Sequence, residues 1–263
     1  MDKIAVLSDI HGNLEALKVC LEDIDRRDIK IIICLGDIIA KGVHPMECIN
    51  LLKERHAIFI RGNCDRFFSE KYEDDAITSR IAFNQNLVDE KTRDFLYHLP
   101  MSYERYISGA YVRFVHATPW ADDVYVGLSS NLEKEWKMYQ PSEHTSNQVA
   151  DVVVYGHTHA MYLSKAFHHT LINAGSVGNN IDVYQNEKCP GNHRMTTMAS
   201  YLIIEGNLDE KEIGPLAYSL IQLPYDIEKE LSSPKENPEK EAYIKELRYG
   251  KYRDLSKLNI QKK

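Results

Sequence analysis

The stretch KIAVLSDIHGN at residues 3–13 decides how this chain begins to fold. A short apolar run ends in polar residues, which is the pattern of a buried strand that reaches the edge of a sheet. The same pattern returns in IKIIICLGD at 29–37 and in AIFIRGNCD at 57–65. The first 65 residues therefore predict three buried strands, each followed by a polar loop.

A helix is predicted between each pair of these strands. Asn13 is suited to cap a first helix, whose apolar stripe recurs every three or four residues from Leu14 to Ile24. Pro45 is suited to the first turn of a second helix, which runs to about Leu52. The order strand–helix–strand–helix–strand predicts a parallel sheet with right-handed crossovers.

The rest of the chain predicts further strands and a separate C-terminal part. Residues 66–100 have mostly helical spacing, and Ser108-Gly109 is the predicted turn of a hairpin. ADVVVYGH at 150–157, HTLINAGSVG at 169–178 and MASYLIIEG at 198–206 are the later strands. Beyond residue 224 charged residues dominate, and Asn237-Pro238 opens a helix that Gly250 would close. We expect one domain over 1–224 and a helical appendage over 225–263.

Composition limits the classes of function. The 263 residues are 43% hydrophobic and carry a net charge of −7, without a long basic stretch. Such a chain lacks the basic face of a duplex nucleic-acid binder, although a nucleotide substrate stays open. Five scattered cysteines favour a reducing cytoplasm. We expect no signal peptide and no membrane span, and self-association into a homo-oligomer stays open.

Metal-binding side chains end the apolar runs. They are Asp9, His11, Asp37, Asn63, His116, His157 and His159. Taken singly, an Asp after a strand is ordinarily a turn former and a His an ordinary polar residue. Together they form a set of carboxylate, amide and imidazole ligands, which borderline divalent metals prefer. The set is too large for one metal ion and suits two.

The order of these strings resembles the calcineurin-like metallophosphoesterase superfamily. The strings are D-x-H at 9–11, G-D at 36–37, G-N-x-D at 62–65, a His at 116 and G-H-x-H at 156–159. The resemblance runs from about residue 3 to about residue 205. It implies an α/β fold of two packed mixed β-sheets flanked by helices, a four-layer α/β/β/α sandwich, to which the C-terminal helical appendage is added.

The resemblance also implies two divalent ions, for which Mn, Fe, Zn, Ni and Co are all suitable. Asp37 would bridge the two ions. The implied sets are Asp9, His11 and His159 for one ion, and Asn63, His116 and His157 for the other. Two ions about 3.5–4 Å apart lower the pKa of a bridging water and neutralise phosphoryl oxygens, so that hydroxide can attack phosphorus.

Position 64 departs from the commonest family pattern. Many relatives have G-N-H-[DE], in which the His can protonate the leaving oxygen, whereas this chain has Cys64 and resembles the YfcE-type phosphodiesterase branch. A thiol is a weak acid with a pKa of about 8.5, which favours phenolate or anhydride leaving groups. A packed thiol without a catalytic role is the equal alternative. The candidate catalytic residues are His11, Asn63, Cys64 and Asp65, and Asp65 is also suited to orient a ligand through a hydrogen bond.

Three further residues are candidates for substrate binding. Gly175 and Ser176 lie in the string GSVG, whose glycines would let the backbone pass close to the metals or the substrate. An ordinary turn at the end of a strand is the alternative. Arg194, in GNHR at 191–194, is a candidate contact for an anionic substrate.

The function predicted from these residues is a dinuclear metal-dependent phosphoesterase. Its substrates would be phosphodiesters or nucleotide phosphoanhydrides, with diadenosine tetraphosphate as a named candidate. A phosphomonoesterase or protein phosphatase is the alternative enzyme, and a non-catalytic metal-binding scaffold is the alternative of another class. The segment 225–263 has no His or Cys, so we expect it to shape or cover the site, or an interface, without supplying a ligand.

Overall fold

The computed structural model describes residues 1–73, 76–127, 130–180 and 197–251. Its strands are β1 (Asp2–Leu7), β2 (Ile31–Cys34), β3 (Ile58–Phe59), β4 (Ser102–Ile107), β5 (Ala110–Val115), β6 (Val152–Tyr155), β7 (Tyr162–Ala166), β8 (His169–Asn173), β9 (Ala199–Gly206) and β10 (Ala217–Leu223). Its helices are α1 (Leu14–Arg26), α2 (Pro45–Glu54), α3 (Asn63–Ser69), α4 (Ser79–Asn86), α5 (Glu90–Tyr97), α6 (Leu132–Tyr139), α7 (Ile227–Leu231) and α8 (Lys240–Tyr249). Within these ranges, no helix combines the length and the apolar character that a bilayer crossing requires.

The strands form two sheets of five strands each, and both sheets are mixed. The first has the order β10-β9-β1-β2-β3, and the second has the order β4-β5-β6-β8-β7. β1, β2 and β3 are parallel, with Ile4 opposite Ile31 and Leu7 opposite Cys34. β5, β6 and β8 are parallel in the second sheet. The parallel strands of each sheet therefore end at a common edge, which is where the polar loops lie.

The two sheets pack face to face around one apolar layer. Ile4 and Val6 of β1 belong to the same buried cluster as Phe114 of β5 and Val154 of β6. Successive residues of a strand point to opposite faces, so Ala5 and Leu7 face the other way. They belong to the cluster that contains the apolar stripe of α1. A third cluster joins β5, β6 and β8 to α6. The predicted arrangement of two packed mixed sheets flanked by helices is confirmed.

Several predicted details are confirmed and others are corrected. Asn13 caps α1 by accepting the N–H of Ala16 at 3.0 Å, and Gly250 ends α8 with φ of +62°. The third strand is only two residues long, and α8 begins at Lys240, after a turn, instead of at 237–238. The edge strands β7 and β10 were not predicted, because their exposed or half-exposed polar residues break up the apolar run.

The appendage packs against the start of α1. Tyr243 and Leu247 of α8 are buried, with 3% and 2% exposure. Glu230 of α7 accepts the N–H groups of Leu14 at 3.1 Å and Glu15 at 3.3 Å, so that a buried carboxylate covers the N-terminus of α1. The division of the chain at residue 224 stays a prediction.

Candidate metal centre

The sequence-predicted ligands converge where the parallel strands of both sheets end. Asp9 and His11 follow β1, Asp37 follows β2, and Asn63 follows β3 as the first residue of α3. The remaining three follow β5 and β6 of the second sheet: His116, His157 and His159. The loops after parallel strands meet at one edge of a sheet, and here the edges of two sheets face each other.

Asp9, His11 and His159 form one compact group. The His159 Nε2 lies 3.3 Å from Asp9 Oδ1 and 3.2 Å from His11 Nε2. Asp9 Oδ1 and His11 Nε2 are 3.8 Å apart. One oxygen and two nitrogens within 4.8 Å of one another could hold a metal ion.

Asn63, His116 and His157 form a second group. The Asn63 Oδ1 lies 3.1 Å from His116 Nε2 and 2.9 Å from His157 Nδ1. Asn63 and His157 are half-buried, whereas Asp9 and His11 are buried. Among the described residues, the second group is therefore the more open side of the centre.

Asp37 lies between the two groups. Its Oδ2 is 3.8 Å from His11 Nε2, and its Oδ1 is 3.5 Å from His116 Nε2. Each carboxylate oxygen thus faces a different group. This is the position that a carboxylate shared by two ions would occupy.

Backbone carbonyls fix the orientation of three histidine rings. His116 Nδ1 donates to the Leu35 carbonyl at 2.9 Å, and His159 Nδ1 donates to the Asn179 carbonyl at 2.6 Å. His11 Nδ1 lies farther, at 3.4 Å, from the Ile39 carbonyl. A carbonyl only accepts, so these rings carry a proton on Nδ1, and Nε2 is the atom that faces the centre and could bind an ion once it is unprotonated.

Asp65 holds the Asp37 loop and does not face the ligand groups. Its Oδ2 accepts the N–H groups of Asp37 at 2.7 Å and Gly62 at 3.0 Å. Its Oδ1 accepts the N–H groups of Ile38 at 2.9 Å and Ile39 at 3.4 Å. Asp65 is fully buried, and these contacts support the positioning role that the sequence suggested. A catalytic role of Asp65 stays a prediction.

The hydrogen bonds of the Asp9 carboxylate indicate whether the centre suits a cation. Its Oδ2 accepts the Ser8 hydroxyl at 2.6 Å and the His157 N–H at 2.9 Å. Its Oδ1 is buried and has no hydrogen-bond partner among the described residues. A buried carboxylate oxygen without a donor is costly, and a metal ion would satisfy it. The residues present therefore fit a divalent cation.

The electrostatics of the centre also favour a cation. Burial raises the pKa of Asp9, but His159 and the other histidines outweigh it and hold the pKa below its usual range. Burial and the nearby charge of Asp9 raise the pKa of Asp37. Burial and the charge of His116 lower the pKa of His157 to about 3. Buried carboxylates beside a neutral imidazole are a ligand set for a metal.

The backbone at the ligands is unusual. Asp9, His11, Asp37, His157 and His159 all have positive φ, between 51° and 62°. This left-handed region is uncommon for residues other than glycine, although Asp and His enter it more often than most. The tight loops that result turn each side chain back towards the common edge of the sheets.

Cys64 is the predicted residue that lies beside Asp37. It is half-buried, and its N–H donates to Asp37 Oδ1 at 2.8 Å. Burial, followed by the charge of Asp37, raises the pKa of the Cys64 thiol well above its ordinary value. The thiol is therefore a weaker acid here than in water, which agrees with the prediction that it gives little protonation.

The GSVG string contacts the backbone of the predicted ligand Asp9. Ser176 is fully buried and donates from its hydroxyl to the Asp9 carbonyl at 2.7 Å. Gly175 is also buried, with φ of +75°, and an added Cβ would lie 2.4 Å from the Ser200 hydroxyl oxygen. Both residues are buried in the part of the chain that the structure describes and hold the backbone near Asp9. Their predicted role in substrate binding stays a prediction. Arg194 lies outside the described residues.

Sequence reasoning missed two residues that adjoin the centre. Lys41 lies four residues after Asp37, and its charge is one cause of the lowered pKa of His11. Asn179 directly follows GSVG and supplies the carbonyl that His159 contacts. Their closeness in sequence to the motifs was the only available signal.

Comparison with known proteins agrees with this geometry. Residues 2–188 match the model of the calcineurin-like phosphoesterase superfamily domain. An uncharacterized protein of Methanocaldococcus jannaschii is 33% identical over 184 residues, which are 66% of this chain and 69% of that protein.

Two solved structures show the same fold. A metallophosphoesterase from Sphaerobacter thermophilus has a TM-score of 0.66 and 20% identity, over 94% of this chain and 99% of that chain. A hypothetical protein from Pyrococcus horikoshii has a TM-score of 0.72 and 17% identity, over 96% of this chain and all of that chain. With the ordered ligand strings, the two mixed sheets and the matching family model, this chain belongs to the calcineurin-like phosphoesterase superfamily.

Proposed function

We propose that the protein is a dinuclear metal-dependent phosphoesterase that hydrolyses phosphodiesters or nucleotide phosphoanhydrides, including dinucleoside polyphosphates such as diadenosine tetraphosphate. The observation that carries the proposal is the position of Asp37, whose two carboxylate oxygens face two different ligand groups. Asp9, His11 and His159 would hold one ion. Asn63, His116 and His157 would hold the other.

Two bound divalent ions would supply Lewis acidity, which activates water near neutral pH and neutralises phosphoryl oxygens. The chain's own residues set where this chemistry takes place. The carbonyls of Leu35 and Asn179 hold two imidazole rings, and Asp65 holds the Asp37 loop. The substrate would bind on the more open side, where Asn63 and His157 are half-buried.

Cys64 supports the proposed choice of substrate. The thiol sulfur lies within 4.8 Å of a His11 ring nitrogen and an Asp37 carboxylate oxygen, and it is a poor proton donor because burial and the Asp37 charge raise its pKa. A leaving oxygen that needs little protonation is therefore favoured, as in aryl diesters and anhydrides. Phosphomonoesters of alkyl alcohols are the substrates of the alternative enzyme class, and their leaving oxygen needs more protonation. The scattered cysteines also support a cytoplasmic location.

One panel of substrates tests the proposal. The protein is incubated with Mn²⁺ and, separately, with an aryl phosphodiester, a dinucleoside polyphosphate, an aryl monoester and a phosphoserine peptide, and released products are measured. We expect turnover of the first two to exceed that of the phosphoserine peptide. Preference for the peptide would support a protein phosphatase. No turnover of any substrate by protein loaded with two ions would support a metal-binding scaffold.

A further inference from the structure

The C-terminal appendage reaches the candidate metal centre through Glu246. This residue of α8 has 0% exposure, and its Oε2 accepts the Asn179 side-chain N–H at 2.9 Å. The Asn179 carbonyl in turn accepts His159 Nδ1 at 2.6 Å. The polar contacts thus run without a break from the appendage to the His159 ring.

The Asn179 side chain is held at both ends. Lys41 Nζ donates to its Oδ1 at 2.8 Å, and Glu246 accepts from its Nδ2. An ammonium group only donates and a carboxylate only accepts, so the amide has one favourable orientation. Asn237 of the appendage donates to the Lys41 carbonyl at 2.7 Å and holds the same loop. The appendage therefore fixes both the side chain and the surroundings of Asn179.

The other ligand group depends on different residues. His116 is oriented by the Leu35 carbonyl, and the loop of Asp37 is held by Asp65. Among the hydrogen bonds of the described residues, none joins the appendage to Asn63, His116 or His157. The contacts from α8 therefore bear on one of the two proposed ions.

We infer that Glu246 is a positioning residue that acts through Asn179 on His159 and tightens the binding of the ion held with Asp9 and His11. This inference rests on the proposed dinuclear function. Without the Glu246 carboxylate, the Asn179 side chain loses one of its two partners, and the bond from its backbone N–H to the Ser176 hydroxyl and the Lys41 contact remain. Its carbonyl then holds the His159 ring less firmly. Loss of a partner outside the ligands typically weakens metal affinity by about 10- to 100-fold.

The test compares two glutamates of the appendage in the 263-residue chain. Glu246→Ala removes the buried acceptor. Glu228→Ala is the matched control, because Glu228 pairs with Arg248 on the surface with 67% of its side chain exposed. Each protein is stripped of metal, and Mn²⁺ binding is followed by calorimetry and by electron paramagnetic resonance of free Mn²⁺. We expect Glu246→Ala to lower the affinity for one ion by about 10- to 100-fold and to leave the affinity for the other unchanged. Glu228→Ala should bind both ions as wild type does.

The conservative variant adds a second readout. Glu246→Gln keeps the length and one oxygen acceptor for Asn179, so its affinity for the sensitive ion should lie between those of wild type and Glu246→Ala. Unchanged binding of both ions by folded Glu246→Ala, or equal weakening of both, overturns the inference. Unfolding of both variants also overturns it, because Glu246 would then be needed for the fold as a whole. Wild-type protein that binds fewer than two ions overturns the proposed function itself.

Discussion

The backbone N–H of His157 donates a hydrogen bond to Oδ2 of Asp9 at 2.9 Å, across 148 residues of sequence. Asp9 follows a strand of the first sheet and His157 follows a strand of the second. Each also belongs to a different ligand group. The bond therefore joins the loops that carry the two groups, and both groups form only when the two sheets are packed together.

Asp37→Asn should remove the shared ligand. An amide has one neutral oxygen and a nitrogen that does not bind metal, so only one group would keep its contact with position 37. We expect at least one ion to be lost by elemental analysis and nearly all turnover to disappear. Asp209→Asn is the control, since Asp209 is exposed and pairs with Arg105. Two retained ions with a near-normal rate would contradict the dinuclear assignment.

Asp65→Asn should destabilise the protein even without metal. The new amide nitrogen would face backbone N–H groups that now donate to a carboxylate, among them those of Asp37 and Gly62. Leaving a buried donor unpaired costs about 1–3 kcal/mol, so the free energy of unfolding should fall by at least that amount. Urea unfolding in the presence of a chelator measures this loss. Exposed Asp94→Asn is the control, and equal stability of the two variants would argue against the positioning role.

Cys64→His should change the preference for the leaving group. A histidine beside the leaving oxygen could supply general acid catalysis, which is worth about 10²–10⁴-fold where the leaving group is a poor one. We expect a higher kcat/KM for alkyl phosphate esters and little change for aryl phosphodiesters. Cys64→Ser adds no acid, so the ratio of kcat/KM for alkyl esters to kcat/KM for aryl diesters should stay unchanged. If Cys64→His accelerates both classes equally, the acid argument is wrong and His11 becomes the better candidate donor.

Metal binding should depend on pH more strongly at the group that contains His116. Burial lowers the pKa of His116, but the charges of Asp37 and Asp9 outweigh it and raise the pKa above its ordinary value. An ion must displace this proton, so affinity should increase as pH rises through that pKa. Burial and the charge of Lys41 hold the pKa of His11 well below its ordinary value, so that His11 has no proton to lose near neutral pH.

Mn²⁺ titrations between about pH 5 and pH 8 would check this difference. The affinity for one ion should fall steeply as the pH falls, and the affinity for the other should fall less. His116→Gln removes the titrating ring, so the steep dependence should disappear although the affinity is lower. Equal pH dependence of both ions in the wild type would contradict the expectation.

The sequence was most informative where a short buried strand ends in a polar residue. Asp9, Asp37 and His159 were predicted from that pattern, because strand order places their loops at one edge whatever the length of chain between them. The superfamily assignment is confirmed by the family match, whereas the YfcE-type branch stays a prediction. The metal-ligand roles also stay predictions that the geometry supports.

The surroundings of the ligands could not be predicted in the same way. Glu246 reaches Asn179 from 67 residues away, and its own sequence neighbourhood is an ordinary charged helix. The buried Ser176 hydroxyl donates to the Asp9 carbonyl, a contact that the GSVG string alone did not predict. Such contacts depend on how loops pack, which periodicity does not report.

The left-handed backbone at the ligands has a consequence for protein engineering. Asp9, His11, Asp37, His157 and His159 each adopt a φ that costs an L-residue about 1–2 kcal/mol. Glycine or asparagine would relieve much of that cost at the same positions. A screen that selected variants only for heat resistance would therefore favour replacements at the very residues that are proposed to bind metal. Thermostable variants of this protein should be selected with a metal-dependent readout at every round.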